Sequence, residues 1–557
     1  MVEGIGGYDE INTHAKTQRR QAPRNTIFKF CVLAALREYN NSSGKVMIKI
    51  KNELFIKFTV TLLLILLLFS HCQSDPKNQV ETNREKYQDI LGCWKGWQVG
   101  QFSERNEQLR LIALKSDGNP AITLIYELGP RSRVWEYDIP ITYQDSIISW
   151  EAHSGHLNES KDTMNVIKEW QGERSNWIFI RHKEADDFMQ QLAASIGNEY
   201  TYEIPDQLDD GWDCADLAEV EIDKEKISQF MNRITAGKHD DIHSILIVKD
   251  GKLVLEEYFT TNGKRFGSFI NQVFRNKPHH LASTTKGILS ALGGIAIDKR
   301  FIQSVDEPIY KYLPDYTDSF NEEKIEIKVK DLLTMTAGWE WEQFKYQWND
   351  PRNNAAEMWK CEDVIKYVLE RPLDAKPGEK FEYSNGIPVV MGVVLKNACG
   401  MEVDRFAELN LFHPLEISDY VWTRYQDGSL ETDGGLALRS RDLAKIGQLF
   451  LNKGNWQGKE IISEKWIDES TQQRIKLGGF WGWNYGYYWM QVDLNYNDRK
   501  IHSYFVPGDG GQLLSVFPDL NMVIVFTAGN YGTDVKSVCF NMIYRYILPA
   551  LQFISEK

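Results

Sequence analysis

Two β-hairpin patterns lie far apart in the chain, and their separation constrains the fold more than any other feature of the sequence. Residues 244–255 form two β-prone runs around Asp250-Gly251, a dipeptide that supplies the positive φ of a tight turn. Residues 513–526 contain a second pair of runs around a Pro-Asp-Leu-Asn turn. Three helical patterns lie between the hairpins, at residues 286–298, 364–369 and 440–451. We therefore predict an α+β fold: one antiparallel sheet whose edges come from distant chain segments, flanked by helices that include a helical subdomain.

A shorter β-rich region precedes this part of the chain. Runs at residues 109–114, 121–126 and 177–180 are rich in β-forming residues and are separated by Ser, Asp, Gly, Asn and Pro. The region opens with Leu-Gly-Cys-Trp-Lys-Gly at 91–96, which resembles the start of small lipocalin-like barrels. The resemblance implies a small all-β domain built as a barrel, and a β-sandwich without a ligand cavity is the alternative.

The N-terminal segment has the pattern of a secretory signal. Basic residues ending at Lys57 precede an uncharged apolar run at 58–69, and Cys72 follows shortly afterwards. The run is shorter than the ~20 residues that a membrane-spanning helix needs. We interpret residues 1–72 as a presequence, with Met47 as an alternative start and Cys72 as a candidate lipidation site. The expected location is outside a bacterial cytoplasm, as a periplasmic protein or a membrane-anchored lipoprotein; plain cleavage or an uncleaved anchor is the alternative.

Polar stretches divide the rest of the chain. A tether at 73–83 leads into the β-rich domain at 84–192, and a linker at 193–213 separates that domain from the α+β domain at 214–557. These lengths are typical of independent domains.

The charge and the metal-ligating residue types exclude several classes of function. A net charge of −14 argues against a nucleic-acid partner, which would favour a basic surface. The cysteines outside the presequence imply no disulfide framework, although one pair could form. The histidines at 239–243 and 279–280 lack zinc-site spacing and are interpreted as structural. We predict no metal and no cofactor.

The chemistry is carried by Ser283-Thr284-Thr285-Lys286 at the start of the first helical pattern. Residues three apart share one helix face, so the Lys286 amine can reach the Ser283 hydroxyl. A serine hydroxyl needs a base to become a nucleophile, and lysine is a base only when its surroundings lower its pKa. The same spacing also occurs in polar stretches at 42–45 and 74–77. We assign the chemistry to residues 283–286 because only this copy begins a helical pattern. A solvated lysine at a Ser/Thr-rich helix start is the structural alternative.

Two further motifs supply partners for this pair. The Tyr383 phenolate can act as general base and later as acid, and the Asn385 amide can orient the lysine and a substrate carbonyl. A glycine-rich stretch before the last hairpin lets its backbone approach a ligand closely. A backbone N–H near Gln512, with that of Ser283, would form an oxyanion hole. The predicted oxyanion and substrate-binding residues are therefore Ser283, Asp509, Gly510, Gly511 and Gln512. Ordinary turns with a packed tyrosine are the alternative.

The order of these motifs resembles the serine hydrolases of the β-lactamase/penicillin-binding superfamily, over roughly residues 215–550. It is most similar to the class C β-lactamase-related esterases and 6-aminohexanoate-dimer hydrolases. The resemblance implies Ser283 as the acylated nucleophile, Lys286 and Tyr383 as the base and acid pair, and Asn385 as a positioning group. Aromatic-rich loops at 339–349 and 480–488 are candidates for the substrate pocket.

One motif departs from the family pattern and bears on the substrate. β-Lactamases and D-alanyl-D-alanine peptidases usually carry a cation on the third motif, where it attracts a substrate carboxylate. This chain has Asp509-Gly510-Gly511 there. We therefore expect an exported hydrolase of small esters, amides or short peptides. A penicillin-recognising β-lactamase, a D-Ala-D-Ala carboxypeptidase and a non-catalytic binding or sensor module are the alternatives, as is a main role for the β-domain in binding an apolar ligand.

Overall fold

The computed structural model describes residues 84–98, 108–115, 119–127, 134–170, 173–195, 200–239, 241–260, 274–478, 482–532 and 538–552. All of them belong to one compact unit, Val80–Lys557. The predicted presequence, Cys72 and the tether lie outside the described residues. The domain boundaries likewise stay a prediction.

The first part of this unit is all-β, as predicted. Among its described residues nine antiparallel strands form a single sheet in the order β4-β3-β2-β1-β9-β8-β7-β6-β5. Strands β4 and β5 are its two edges and are consecutive in the chain, so the sheet is a nearly closed barrel rather than a sandwich. The strands β1–β9 are Gly92–Gln98, Gln108–Leu114, Pro120–Glu127, Val134–Pro140, Thr142–Gln144, Ile147–Trp150, His153–Leu157, Thr163–Trp170 and Glu173–Arg181.

Trp94, from the motif that opens this region, anchors the barrel core. Its ring is fully buried, and its Nε1 donates to the Ile90 carbonyl at 2.9 Å. The Arg181 guanidinium lies 4.6 Å from the ring centroid and donates to the carbonyls of Leu91 and Asp89. This cation–π contact reinforces the pairing of the first and last strands, β1 and β9, which lie next to each other in the middle of the sheet.

The second part contains the predicted antiparallel sheet. Within the described residues its order is β10-β12-β11-β23-β22-β21-β20-β19-β18, with only the short β10 parallel to its neighbour. Three shorter strands form a separate sheet, β13-β15-β14, and two more form a small hairpin. The strands β10–β23 are Asp213–Cys214, Ile242–Lys249, Lys252–Tyr258, His279–His280, Tyr420–Trp422, Leu436–Leu438, Asn455–Trp456, Lys459–Glu460, Ile475–Gly478, Trp483–Tyr485, Met490–Tyr496, Arg499–Gly508, Gln512–Phe517 and Met522–Ala528.

The two predicted hairpins meet in the middle of this sheet. Strand β11 pairs with β23, with Leu246 opposite Val525, while the edges come from β10 and β18. Asp250 and Gly251 adopt the positive φ angles, 54° and 78°, that the turn requires. Because β11 and β23 are buried on both faces, alternate residues enter two different hydrophobic cores.

Helices cover both faces of the sheet. The three helical patterns predicted from the sequence are confirmed as α3, α6 and α9. One core surrounds α3, α7 and α9, and the other lies against α2 and the C-terminal segment. The helices α1–α11 are Asp186–Ser195, Lys224–Thr235, Thr285–Asp298, Val329–Leu333, Asn354–Met358, Val364–Leu369, Gly386–Cys399, Val403–Ala407, Ser440–Leu451, Glu464–Thr471 and Val538–Met542.

No single helix in the described residues is long and apolar enough to cross a membrane. One bent pair of helical segments, Gly386–Cys399 with Val403–Leu415, has the length and composition of a membrane span. Its apolar residues pack in the core around α3. The five described cysteines, Cys93, Cys214, Cys361, Cys399 and Cys539, are all free thiols.

Candidate active site

Ser283 lies in a 3-10 turn, Ala282–Thr284, that runs directly into α3. Strand β13 leads into this turn, and the Leu281 N–H donates to the Leu436 carbonyl at 2.9 Å. On the other side the Thr284 hydroxyl donates to the Val506 carbonyl of β21 at 3.2 Å. A Cβ on Gly287 would lie 2.8 Å from the Val506 side chain, so glycine is what allows α3 to approach the strand this closely.

The structure brings Ser283 and Lys286 together as the spacing predicts. Lys286 is 1% exposed, and its Nζ lies 2.9 Å from the Ser283 hydroxyl oxygen. It also donates to the main-chain carbonyl of Asp433 at 2.6 Å. The ring centroid of Tyr383 lies 5.2 Å from the same nitrogen. The contact joins a buried amine to the hydroxyl of the serine three residues earlier, and a serine hydroxyl needs a neighbouring base to become a nucleophile.

Asp433 belongs to the site although the sequence did not single it out. It is buried, and the Tyr425 hydroxyl donates to its Oδ1 at 2.5 Å. Burial raises the pKa of the Asp433 carboxyl, and the nearby Lys286 charge opposes that rise. The only local sign of its role is its position before Gly434-Gly435, and its contact with Lys286 spans 147 residues.

Tyr383 and Asn385 reach the site from the segment before α7. The Phe344 ring lies 5.6 Å from the Tyr383 ring, which confines the phenol from the outside. Within the described residues the Tyr383 hydroxyl makes no hydrogen bond. The Asn385 amide oxygen accepts from Gln343 Nε2 at 3.4 Å, and the Asn385 main-chain N–H donates to Gln343 Oε1 at 2.9 Å. No described contact joins Asn385 to Lys286, so its predicted role as an orienting group remains a prediction.

Gln343 is a second residue that the sequence did not single out. It lies in the aromatic-rich loop at 339–349 that the sequence marks as a pocket candidate. Its side chain also accepts from the Trp341 Nε1–H at 2.8 Å, so one amide ties this loop to the segment that carries Tyr383 and Asn385.

Backbone strain is concentrated around the same residues. Three buried non-glycine residues in the described part have a positive φ: Ala282 (46°), Met335 (57°) and Tyr488 (63°). Ala282 precedes Ser283, and the Met335 carbonyl accepts from the Glu382 N–H, next to Tyr383. Burial, with the neighbouring Tyr383 phenol as a second cause, raises the pKa of Tyr488 far above its ordinary value. Bulky residues rarely adopt this conformation, and such strain is characteristic of functional sites.

The glycine-rich turn lies against the Ser283 turn. A Cβ on Gly508 would be 2.4 Å from the Leu281 carbonyl oxygen, so this backbone approaches the nucleophile turn directly. Gly510 and Gly511 have φ angles of 83° and 93°. The Gln512 side chain is buried and donates to the carbonyls of Asp509 and Ala528, at 3.1 and 2.6 Å, so it fixes the turn from inside. Which of these backbone N–H groups faces an oxyanion stays a prediction.

The Asp509 side chain is exposed, and its Oδ2 accepts from the Gly532 N–H at 3.4 Å. Its negative charge therefore faces solvent at the rim of the glycine-rich turn.

A large cavity of about 940 Å³ lies behind the segment that leads to Tyr383, and it does not include Ser283. It is lined by charged residues of both signs, among them Asp331, Lys376, Glu379 and Arg474. The candidate reaction centre is therefore identified by the chemistry of its residues, because the large cavity lies elsewhere. Among the described residues no group of three or more His, Cys, Asp or Glu side chains could hold a metal ion.

Comparisons with known proteins find several that are similar to this chain. A curated relative from Salmonella agona, provisionally named a D-alanyl-D-alanine carboxypeptidase, is 24% identical over 58% of this chain and 86% of its own. A provisionally named 6-aminohexanoate-dimer hydrolase from Bacillus anthracis superposes with a TM-score of 0.48 at 20% identity, over 57% of this chain and 81% of that one. A penicillin-binding protein homologue from Pyrococcus abyssi superposes with a TM-score of 0.44 at 18% identity, over 58% of this chain and 76% of that one.

A family model describes the part of the chain that carries Ser283, Lys286, Tyr383 and the glycine-rich turn. The Beta-lactamase model matches residues 231–537, which is more than half of the sequence. The protein therefore belongs to the Beta-lactamase family of serine hydrolases.

Proposed function

We propose that the protein hydrolyses small esters or amides through an acyl-enzyme formed on Ser283. The observation that carries this proposal is the 2.9 Å contact between the buried Lys286 amine and the Ser283 hydroxyl. A serine and a lysine held this closely, in a site that removes the lysine from water, have the geometry of a nucleophile and its base.

The contacts of Lys286 accommodate the neutral amine that this role requires. A neutral amine keeps two N–H groups and one lone pair. One N–H group can stay on the Asp433 carbonyl and the other can face Tyr383, which leaves the lone pair for the Ser283 O–H. The Ser283 oxygen then bonds to the substrate carbonyl carbon while its proton moves to Lys286.

The later steps return the proton and release the product. Backbone N–H groups of the Ser283 turn and the glycine-rich turn stabilise the oxyanion, and the carbon–leaving-group bond breaks as Tyr383 delivers a proton to the leaving oxygen or nitrogen and takes the Ser283 proton from Lys286. Water then attacks the acyl carbon and gives up a proton to the same pair. The bond between the acyl carbon and the Ser283 oxygen breaks as the pair returns that proton to the oxygen, which frees the acid and Ser283.

The exposed Asp509 carboxylate favours uncharged or cationic substrates. A substrate carboxylate near the glycine-rich turn would meet a like charge where related hydrolases place a cation. The test is a matched pair of acyl-D-alanyl-D-alanine peptides, one with a free C-terminal carboxylate and one with a C-terminal amide. We expect the amide to have the higher kcat/KM, and we expect Asp509→Asn to narrow the gap between the two.

The second candidate function is D-alanyl-D-alanine carboxypeptidase activity, because curated relatives carry that name. Such an activity predicts that the peptide with the free C-terminal carboxylate has a higher kcat/KM than the peptide with the C-terminal amide. If the carboxylate peptide is hydrolysed faster, the ester and neutral-amide proposal is wrong. If both peptides and a panel of p-nitrophenyl esters are inert, the non-catalytic binding reading replaces it.

We also propose that the protein is exported and anchored through a lipid on Cys72, on the basis of the basic residues ending at Lys57, the apolar run at 58–69 and the position of Cys72 just after it. Mass spectrometry of the mature protein tests this. A diacylglycerol-sized mass on a chain that begins at Cys72, absent from Cys72→Ala, would support the proposal. An unmodified N-terminus at another residue would contradict it.

A further inference from the structure

The large cavity behind the segment that leads to Tyr383 has two buried polar groups in its wall. Its volume of about 940 Å³ is at the upper end of the range for small-molecule sites. Asp331 and Tyr487, 4% and 2% exposed, both line it. Among the described residues only the Lys328 N–H donates to the Asp331 carboxylate, to Oδ2 at 2.8 Å, and the Tyr487 hydroxyl makes no hydrogen bond. Because buried polar groups nearly always have partners, this pair indicates that a ligand completes the cavity.

The neighbours of Tyr487 fix the direction of its hydroxyl. The Arg474 guanidinium lies 3.9 Å from the centroid of the Tyr487 ring, and the Trp466 ring stacks on the same ring at 5.5 Å. Arg474 is itself held by two hydrogen bonds to the Glu469 carbonyl, at 3.1 and 2.8 Å. The hydroxyl therefore cannot turn away to another partner without breaking this stack.

The charge of the wall selects an amine at its buried end. Burial raises the pKa of the Asp331 carboxyl, and the hydrogen bond from the Lys328 N–H is the chief opposing cause. Lys330, also in the wall, is already paired with Asp306 at 2.7 Å. An ammonium group on the second oxygen of Asp331 would supply the donor that this oxygen lacks and would stabilise the charged carboxylate.

The exposed rim of the cavity carries charges of both signs. Lys376 and Glu379 lie there, and within the described residues neither side chain forms an ion pair. Acidic residues outnumber basic ones in the whole lining, six to four. Lys376 can attract a carboxylate, although less strongly than Asp331 attracts an amine, since exposed ion pairs contribute little. A ligand with an ammonium group at one end and a carboxylate at the other matches this arrangement.

The size of the cavity fits a short peptide. A cube of the same volume has an edge of about 10 Å, and three extended residues span about 10 Å. A tripeptide with free termini therefore has both the charges and the length that the cavity accommodates.

We propose that this cavity binds a short peptide with free termini, with its ammonium group on Asp331 and Tyr487 and its carboxylate toward Lys376, and that the bound peptide is an effector of the reaction centre. The cavity residues take no part in the proposed chemistry. The effect on rate rests on the proposed function, whereas binding does not.

The wall of the cavity continues into the backbone that carries Tyr383. The Thr336 N–H donates to the Asp331 carbonyl at 2.8 Å. The Thr336 carbonyl in turn accepts from the Gly378 N–H at 2.8 Å, five residues before Tyr383. A ligand that fixes Asp331 thus restricts the segment that leads to the phenol.

Tyr487 provides a second connection to the same phenol. The next residue, Tyr488, has the strained φ of 63°, and its N–H donates to the Leu333 carbonyl at 3.0 Å. The Tyr383 phenol is close enough to Tyr488 to contribute to its raised pKa. Both groups that would hold the ammonium are therefore linked to the surroundings of Tyr383, and we expect binding to favour its reactive position.

The test observes binding directly, with L-trialanine as the probe and Ser283→Ala as the host, so that the peptide is not hydrolysed. The dipeptide Pro-Gly occurs twice in the sequence, at 377–378 and 507–508. Labelling proline carbonyls with ¹³C and glycine nitrogens with ¹⁵N isolates the Gly378 amide in the cavity wall and the Gly508 amide beside the nucleophile turn. We expect the Gly378 signal to shift by more than the Gly508 signal. A larger shift at Gly508, or none at either, overturns the proposal.

Matched variants locate the ligand. Tyr487→Phe removes one hydroxyl, and we expect it to weaken trialanine binding by about tenfold, as for a hydrogen bond to a charged group. Tyr310→Phe removes the hydroxyl of a tyrosine outside the cavity, 37% exposed, and should leave the affinity unchanged. An equal affinity in Tyr487→Phe and Tyr310→Phe overturns the proposal.

Blocked peptides test the assignment of the two charges. N-acetyl-trialanine should bind at least about tenfold more weakly than trialanine, because it cannot place an ammonium on a buried carboxylate. Trialanine amide should bind about threefold more weakly, because its lost partner is exposed. Asp331→Asn, which keeps an acceptor for the Lys328 N–H, should remove the preference for the free amine. A blocked peptide that binds as tightly as trialanine overturns the proposal of a ligand with two charged ends.

The rate of Ser283 labelling by a fluorophosphonate in the wild-type protein tests the effector role. We expect saturating trialanine to raise this rate about fivefold, at the low end of allosteric coupling, and we expect no rise in Tyr487→Phe. A Gly378 shift with an unchanged or lower labelling rate overturns the effector role. Absence of labelling at every peptide concentration, with the Gly378 shift intact, contradicts the proposed function but leaves the binding site standing.

Discussion

Two buried lysines in different regions of the α+β part have the same local spacing and opposite chemistry. Lys286, at the start of α3, and Lys445, in α9, are each at most 1% exposed, and each contacts the residue three positions earlier. Lys286 contacts the Ser283 hydroxyl, whereas Lys445 contacts the Asp442 carboxylate at 3.4 Å. Lys445 also donates to the carbonyls of Leu415 and Glu416, at 2.9 and 3.3 Å.

The difference shows that burial alone does not make a lysine a base. Lys445 has a carboxylate partner and three acceptors for its three N–H groups. Lys286 has a hydroxyl, one carbonyl and an aromatic ring, and the carboxyl nearest to it, Asp433, has a pKa raised by burial. Lys445 therefore sits in an ion pair, whereas Lys286 contacts the hydroxyl that the proposed mechanism deprotonates.

The largest effect is expected for Lys286→Met. Removal of the base should lower the rate of Ser283 labelling by a fluorophosphonate by about 10³–10⁴-fold, within the range for general base catalysis. The unfolding free energy should change little, since an apolar side chain of similar volume suits a buried site. Intact-mass kinetics and urea unfolding measure the two quantities. A rate within tenfold of wild type would mean that Lys286 is not the base.

Lys445→Met should show the reverse pattern. Asp442 would keep only Arg439 as a partner, so we expect the unfolding free energy to fall by about 3 kcal/mol, the lower end for a broken buried ion pair. The labelling rate per folded molecule should stay within about twofold of wild type. Adding Asp442→Asn should recover part of the lost stability. A selective loss of labelling with normal stability would reverse the comparison between the two lysines.

Tyr383→Phe should lower the labelling rate by about 10²-fold, because it removes a proton-transfer group but leaves Lys286 in place. Tyr488→Phe is the matched control, since the Tyr488 hydroxyl is buried without a hydrogen-bond partner in the described residues. Its removal should raise the unfolding free energy by about 1 kcal/mol and leave the rate unchanged. Equal rate losses in both variants would indicate a packing effect instead of proton transfer.

The smallest effect concerns pH and Asp433. Because burial raises the pKa of this carboxyl, the folded state keeps a proton that the unfolded state has already released. Stability contributed by that proton is present below the unfolded pKa and is lost as pH rises through the raised folded value. We expect Asp433→Asn to remove this decline in the unfolding free energy, measured by urea unfolding at a series of pH values. A difference between the two proteins that does not vary with pH would contradict the assignment.

Local signals in the sequence account for much of the fold. The Asp250-Gly251 turn, the helix at 440–451 and the Ser283–Lys286 spacing each depend on a few adjacent residues, and the structure contains all three. The pairing of β11 with β23 joins segments more than 270 residues apart, and the sequence does not reveal that the hairpins meet at the centre of the sheet.

The parts of the site that the sequence does not reveal are held by long-range contacts. Asp433 reaches Lys286 across 147 residues, Gln343 reaches Asn385 across 42, and His243 reaches His279 across 36. The sequence alone favours a structural role for these histidines, because neither cluster has metal-ligand spacing. Their shared hydrogen bond exists only once β11 and β13 are both in place.

The most direct measurement is intact-mass analysis of the purified protein and its Ser283→Ala variant after treatment with a fluorophosphonate. We expect a single adduct on the wild-type protein, none on Ser283→Ala, and an adduct formed at the normal rate on Lys445→Met. An adduct of equal stoichiometry on Ser283→Ala, or none on the wild-type protein while Lys286 is buried against Ser283, would contradict the claim that this pair is the nucleophile and its base.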